Sequence, residues 1–254
     1  MATMEIDSVS KSFGGVQALD NVTLSVKDKM ITGLIGPNGA GKTTLFNVIT
    51  NIERPDSGQV SFGGHDLTNI KPHHFAKMGI LRTFQKSMPF GEMTLLENVI
   101  VGGIAVSKIG KLGGLLRTKK AKIILENDKQ KGMNCLKMVG LSEKKDMLAN
   151  SIPYGEQRLL EIGRALACNP KILLLDEPVA GMNQEESLEM AKLIRRISED
   201  GLTIFLIEHN LDVVMNLCDQ LYVMNFGKII ANGSPIEIQQ HEQVKEAYLG
   251  KKEV

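Results

Sequence analysis

The stretch Gly36-Pro37-Asn38-Gly39-Ala40-Gly41-Lys42-Thr43-Thr44 constrains this chain more than any other. It matches G-x-x-x-x-G-K-[ST], a pattern that carries meaning only in the right setting. Before it, Met30-Ile31-Thr32-Gly33-Leu34-Ile35 reads as a short buried strand. After it, Thr44-Leu45-Phe46-Asn47-Val48-Ile49 reads as the first turns of a helix. Strand, Gly-rich turn and helix in that order form a phosphate cradle. The glycines let successive N–H groups converge on one anion, and the helix N-terminus adds a partial positive charge. Lys42 adds a full one, and the Thr43 hydroxyl can reach Mg²⁺.

Composition removes several alternatives. A chain of 254 residues can form one large domain, or one domain with a small lobe. A net charge of +1 argues against nucleic-acid binding through bulk charge, and the absence of Trp argues against a stacking platform for single strands. Cys135, Cys168 and Cys218 are far apart and outside any C-x-x-C spacing. Buried free thiols in a reducing compartment are expected, not zinc ligands or a disulfide frame. Met1-Ala2-Thr3-Met4-Glu5-Ile6 lacks the basic flank and apolar stretch of a signal peptide. No run approaches the roughly 18 apolar residues that cross a bilayer. The expectation is a soluble cytoplasmic chain that meets a membrane only through a partner.

Residues 4–9 and 19–26 read as early strands, with Ser10-Lys11-Ser12-Phe13-Gly14-Gly15 as a turn centred on its aromatic. Gln59-Val60-Ser61-Phe62 before Gly63-Gly64 suggests a hairpin, and Ile80 to Gln85 a strand ending in a loop. Residues 93–150 differ: helical apolar spacing, a Gly-rich interruption, then the basic run Arg117 to Lys122, which reads as a solvated face. The core resumes with a helix over 156–167 ended by Asn169-Pro170. Lys171-Ile172-Leu173-Leu174-Leu175-Asp176 is a continuous apolar strand of the kind buried in a parallel sheet. A helix over 185–199, a strand over 203–207 ending at Glu208-His209, and a last pair of strands around Asn225-Phe226-Gly227 follow. Strands alternating with helices imply a parallel sheet between helical layers.

Asp176 is a carboxylate at the C-terminal edge of a central strand, opposite the phosphate loop, where an Mg²⁺ ligand is expected. The adjacent Glu177 could polarise a water for attack on a γ-phosphate. His209 ends the next strand at the same sheet edge and is placed to touch that phosphate. Gln85, after its own strand, could sense the metal and the water.

Taken together, Phe13, the loop 36–44, Gln85, Ile152-Pro153-Tyr154-Gly155-Glu156-Gln157, Leu173-Leu174-Leu175-Asp176-Glu177-Pro178 and His209 fall in the order found in ATP-binding-cassette ATPases. The chain resembles that family over nearly its whole length. The resemblance implies an α/β fold: a P-loop NTPase core with a mainly parallel sheet, an N-terminal antiparallel β subdomain and an inserted α-helical subdomain. Residues 1–92 and 151–254 would form the core and 93–150 the helical part, in one domain. ATP and Mg²⁺ are the implied cofactors. Phe13 would stack on adenine. Lys42, Gln85, Glu177 and His209 would carry catalysis, and Thr43, Gln85 and Asp176 the metal.

In that family two cassettes close head to tail, so Pro153, Tyr154, Gly155, Glu156 and Gln157 would meet the partner's nucleotide. The implied partners are a second cassette, identical or related, and integral membrane permease subunits contacted near Gln85 and 93–150. An extracytoplasmic substrate-binding protein would be linked indirectly, no nucleic acid would be involved, and the chain itself would sit at the cytoplasmic face of the membrane, held there through the membrane subunits. The usual Leu-Ser-Gly-Gly-Gln segment is replaced here by Ile152-Pro153-Tyr154-Gly155-Glu156, and Pro153 has neither the hydroxyl nor the N–H of the usual serine. Asn183 stands where an aspartate is usual.

These departures, with Ile207-Glu208-His209-Asn210-Leu211-Asp212 and the ending Ala247-Tyr248-Leu249-Gly250, resemble the branch serving branched-chain amino-acid uptake. A broader group of urea-type and lipopolysaccharide-export cassettes shares such features. A soluble non-transport cassette and a small-molecule kinase are the rivals from other classes.

Overall fold

The computed structural model describes residues 2–83, 89–106 and 119–249. Strands β1 (Ala2–Phe13) and β2 (Val16–Lys27) form a long antiparallel hairpin, joined by β4 (Ser57–Phe62) and β5 (His65–Asp66) in a four-stranded sheet ordered β2-β1-β4-β5. The first two strands outrun the sequence expectation. Phe13 is the last residue of β1 and not the centre of a turn, because Gly14 and Gly15 alone make the reversal. The β4–β5 hairpin forms as expected.

A second sheet has six strands in the order β10-β9-β3-β8-β7-β6. They are β3 (Ile31–Ile35), β6 (Ile80–Arg82), β7 (Ile172–Asp176), β8 (Thr203–Ile207), β9 (Gln220–Asn225) and β10 (Lys228–Gly233). All pair in parallel except β10, which returns antiparallel on β9.

The unbroken apolar runs of β7 and β8 follow from what covers their two faces. Side chains alternate across a strand, so a strand buried on both sides is apolar at nearly every position, here all but Thr203 at the start of β8 and Asp176 at the end of β7. Leu173, Leu175, Ile204 and Leu206 enter one core. They meet Val99 of α3 (Leu95–Gly103), Leu136 of α4 (Lys119–Met138), Leu160 of α5 (Tyr154–Leu166) and Ile194 of α6 (Gln184–Glu199). Ile172, Leu174, Phe205 and Ile207 enter the other, shared with Leu45 and Phe46 of α1 (Lys42–Ile49) and with Met4, Ile6 and Val60 of the antiparallel sheet. Phe46 and Phe205 pack with ring centroids 5.0 Å apart and planes tilted by 57°. The helix that starts at the phosphate loop is thus clamped between the two sheets.

Short α2 (Phe75–Met78) precedes β6, α7 (Leu211–Leu217) follows β8, and α8 (Pro235–Gln240) and α9 (Glu242–Leu249) close the described chain. The sequence reading did not separate α2, α8 or α9, which are short and carry little periodic signal. All three cysteines are buried without a disulfide. Among the described residues no helix is long and apolar enough to cross a membrane.

Between residues 90 and 98 a single side chain organises the turn into α3. Asn98 is fully buried; its amide donates to the carbonyls of Phe90, Met93 and Thr94 at 3.0, 3.2 and 3.0 Å, and its oxygen accepts from the Phe90 N–H at 2.8 Å. Thr94 and Glu97 add a reciprocal capping box. Asn98→Ala leaves several buried backbone groups without partners and should cost about 2–3 kcal/mol, read as a lower urea midpoint at unchanged slope.

Candidate functional site

The phosphate loop joins β3 to α1 at one edge of the six-stranded sheet, and neighbouring strands press against it. A Cβ on Gly36 would lie 2.0 Å from the Met224 carbonyl oxygen of β9, so a side chain there would force the loop off the sheet. The Gly227 N–H donates to the Ala40 carbonyl at 2.9 Å and ties the loop to the β9–β10 turn. Lys42 is buried, and its ammonium donates to the carbonyls of Gly36 and Pro37 at 2.7 and 2.9 Å. The Thr43 side chain is exposed at the helix start.

Asp176 closes β7 beneath this loop with 5% of its surface exposed. Glu177 turns out of the strand in the left-handed region, φ 50°, with its N–H donating to the Ile207 carbonyl at 3.0 Å. A glutamate in that conformation is uncommon and strained, a state found where backbone geometry serves a site. Burial pushes the Lys42 ammonium below the ordinary lysine range, and the negative charges of Glu177 and then Asp176 oppose that shift. Lys42, Asp176 and Glu177 therefore share one electrostatic environment. His209 joins them: its Nδ1 lies 3.8 Å from a Glu177 carboxylate oxygen and 3.9 Å from one of Glu208, with the ring largely exposed.

Phe13 is 43% exposed, with the Lys11 ammonium 5.3 Å from its ring centroid. Gln85 lies outside the described residues. Residues 153–157 open α5. Pro153 is the N-cap residue, with no side-chain cap, and its carbonyl accepts from the Gln157 N–H at 3.0 Å. Tyr154 donates to the Ala180 carbonyl at 3.3 Å and accepts from Arg158 Nε at 3.0 Å. A Cβ on Gly155 would come within 2.7 Å of Glu186 Oε1, which explains a glycine where α5 meets α6. Glu156 pairs with Lys144 at 2.6 Å, and Gln157 Nε2 donates to the Ile152 carbonyl at 3.0 Å. This segment is bonded to Lys144 and to the Ala180 carbonyl and lies against Glu186. Asn183 is the N-cap of α6 in a reciprocal capping box with Glu186, a task that asparagine and aspartate perform equally well.

Three residues escaped the sequence reading as site components. Arg82, at the end of β6, pairs with Asp176 at 2.8 Å and donates to Asn47 Oδ1 and Thr50 Oγ1 at 2.8 and 3.2 Å. Glu208 is fully buried and accepts from the backbone N–H groups of Val179, His209 and Asn210 at 3.1, 3.0 and 3.3 Å, pinning the loop after β7 to the loop after β8. Burial raises its pKa, and those three donors pull it back. Tyr248 of α9 packs against the helical core, and burial pushes its phenol up to about 12 against the backbone N–H of Gly36. Across an open cleft, Pro37–Ala40 face Phe226 and, on α9, Gln243 and Glu246.

A strand-loop-helix cradle with a buried lysine, two carboxylates and a histidine at one sheet edge agrees with the comparisons. The family model described as ABC transporter matches residues 19–180, and that of the branched-chain amino acid ATP-binding cassette transporter matches residues 228–254. The chain belongs to the ABC transporter family, as an ABC ATPase. It is 39% identical over 248 residues to the high-affinity branched-chain amino acid transport ATP-binding protein LivG of Salmonella typhimurium, covering 97% of each chain. It is 40% identical over 258 residues to the probable LivG of Methanocaldococcus jannaschii, covering 98% of each. Among solved structures, a nucleotide-free ATP-binding cassette from an ABC transporter superposes with a TM-score of 0.85 at 38% identity, covering 99% of this chain and 100% of that one. A dimeric cassette in a post-hydrolysis state, bound to ADP and Pi, superposes with a TM-score of 0.75 at 25% identity, covering 91% and 98%.

Only the ammonium form of Lys42 can pair with a phosphate. Its lowered pKa means that nucleotide affinity should fall as pH rises, at a pH below the one at which an ordinary lysine would lose its proton. Titration of a fluorescent ATP analogue between neutral and alkaline pH checks this. Constant affinity up to the ordinary lysine range would exclude a desolvated Lys42.

Proposed function

We propose that this chain is the ATP-binding and ATP-hydrolysing subunit of a transporter that imports branched-chain amino acids, driven by ATP-dependent pairing of two cassettes. The observation that carries the reading is the convergence of Lys42, Asp176 and Glu177 beside the Gly36–Thr44 loop. The match of residues 228–254 to the amino-acid cassette model supports the choice of cargo. Relatives of nearly the same length named for that transport support it too. Permease subunits in the membrane, a substrate-binding protein outside it and a place on the cytoplasmic face belong to this reading.

In it, the loop amides and Lys42 hold the β- and γ-phosphates, and Phe13 covers the adenine. The exposed Thr43 hydroxyl and the Asp176 carboxylate are hard oxygen donors suited to Mg²⁺, which prefers a few protein oxygens together with phosphate and water. Bound there, the ion neutralises charge on the phosphate oxygens. Glu177, turned out of β7, would take a proton from the attacking water, and His209, beside it, would bond to the γ-phosphate. The uncapped start of α5 offers its N–H groups, with Gly155, to the nucleotide of a second cassette. Gln85 links the site to the membrane partner.

Glu177→Gln should keep ATP affinity within a few-fold while slowing turnover by at least about 10²-fold, since the amide cannot take the proton. Equilibrium nucleotide binding beside phosphate release measures both, and undiminished release would remove Glu177 from the reaction. In the Glu177→Gln background, Pro153→Ser supplies an N-cap acceptor worth up to about 1 kcal/mol to α5. ATP-driven dimerisation by gel filtration should then be equal or tighter. Clear weakening would mean that Pro153 itself contributes to the pairing surface.

A further inference from the structure

Arg82 is not accounted for by nucleotide binding or by the chemistry above. Its position follows from strand register. β6 and β7 run parallel with Arg82 opposite Leu174, and Asp176 lies two residues further along β7 on the same face. The two side chains are therefore diagonal neighbours on the face that packs against α1. Both are 5% exposed and meet at 2.8 Å through Asp176 Oδ2. The guanidinium also lies 5.5 Å from the Phe46 ring centroid and is fixed by Asn47 and Thr50, so it cannot swing away without breaking contacts to α1.

The consequence concerns charge. A carboxylate buried at a metal position ordinarily attracts a divalent cation by itself, because desolvation makes its uncompensated charge costly. Here that charge is already matched by Arg82 at hydrogen-bond distance, and Lys42 lies within electrostatic reach of both Asp176 and Glu177. Among the described residues no cluster of three His, Cys, Asp or Glu side chains offers an alternative nest. A lone cation entering beside Asp176 would meet two fixed positive groups. A cation arriving with a triphosphate brings compensating negative charge and its own oxygen ligands.

We propose that Arg82 is a positioning residue that keeps the metal position closed until nucleotide is bound, by neutralising Asp176 in the nucleotide-free protein. The proposal rests on the reading of Asp176 as the metal-holding carboxylate.

The test is Mn²⁺ binding followed by electron paramagnetic resonance, with purified full-length chain, with and without a non-hydrolysable ATP analogue. Wild type should take up Mn²⁺ far more tightly with the analogue than without it. Arg82→Gln should bind Mn²⁺ alone about tenfold tighter or more than wild type, whereas Arg82→Lys, which keeps the charge but loses the fork to Asn47 and Thr50, should bind it less tightly than Arg82→Gln. A purely structural role for Arg82 would weaken binding or leave it unchanged, so equal or weaker Mn²⁺ binding by Arg82→Gln with a native circular-dichroism spectrum overturns the proposal. Should Arg82→Gln not fold, wild type decides: Mn²⁺ uptake as tight without the analogue as with it also overturns the proposal. Asp176→Asn separates the two ideas. Undiminished Mn²⁺ uptake with the analogue in that variant would overturn the assignment of Asp176 to the metal, whatever Arg82 does.

Discussion

Opposed buried charges at one edge of the six-stranded sheet hold this site together. Lys42 and Asp176 lie almost out of solvent, and Arg82 locks the carboxylate from the side. Such charges are tolerated only when each is matched, and removing one partner from a buried pair costs about 3–5 kcal/mol. The matching is spread over different elements: α1 supplies Lys42, β6 supplies Arg82, and β7 supplies Asp176 and Glu177. A change in the charge at any one of them is therefore felt by all. In the proposed function, nucleotide would bring a large negative charge to the centre of this array, which makes the array responsive and not merely stable.

Much of the architecture was legible because burial leaves a periodic signature. The unbroken apolar run at 172–175 marked a strand inside a parallel sheet and 204–207 the strand after it, and their alternate residues do fill two separate cores. The phosphate loop was legible because its backbone geometry demands particular residues at fixed spacing, as the contact of Gly36 with Met224 shows. Arg82 was not. An arginine after two apolar residues looks like any strand end, and its meaning arises only from the β6–β7 register, which brings together residues far apart in the chain. Glu208 was hidden for the same reason, since its partner Val179 belongs to the preceding strand's loop.

The departures from the common family pattern look different once their surroundings are known. Asn183 caps α6 through its side-chain oxygen, so exchange of aspartate for asparagine preserves the local structure while removing a charge. Pro153 occupies an N-cap position with φ −56°, a value that its ring favours, and its missing N–H withdraws nothing from the helix ladder. Both positions keep their backbone roles. What changes is the chemistry offered outward from the loop and from the helix start.

That outward face is mechanically tied to the carboxylates within. Tyr154, beside Pro153, donates to the carbonyl of Ala180, and Gly155 lies against Glu186, the residue that closes the α6 cap. The segment between them begins at Glu177, whose strained backbone is held by Ile207, and passes through Val179, which Glu208 grips. Residues 177–183 are thus fastened at one end to the proposed water-activating carboxylate and at the other to the segment proposed to meet a partner's nucleotide. In a head-to-tail pair, a shift of this loop on hydrolysis in one site would displace the surface presented to the other. Linkage requires the reverse as well: nucleotide held against Gly155 would bias the position of Glu177 in the same chain.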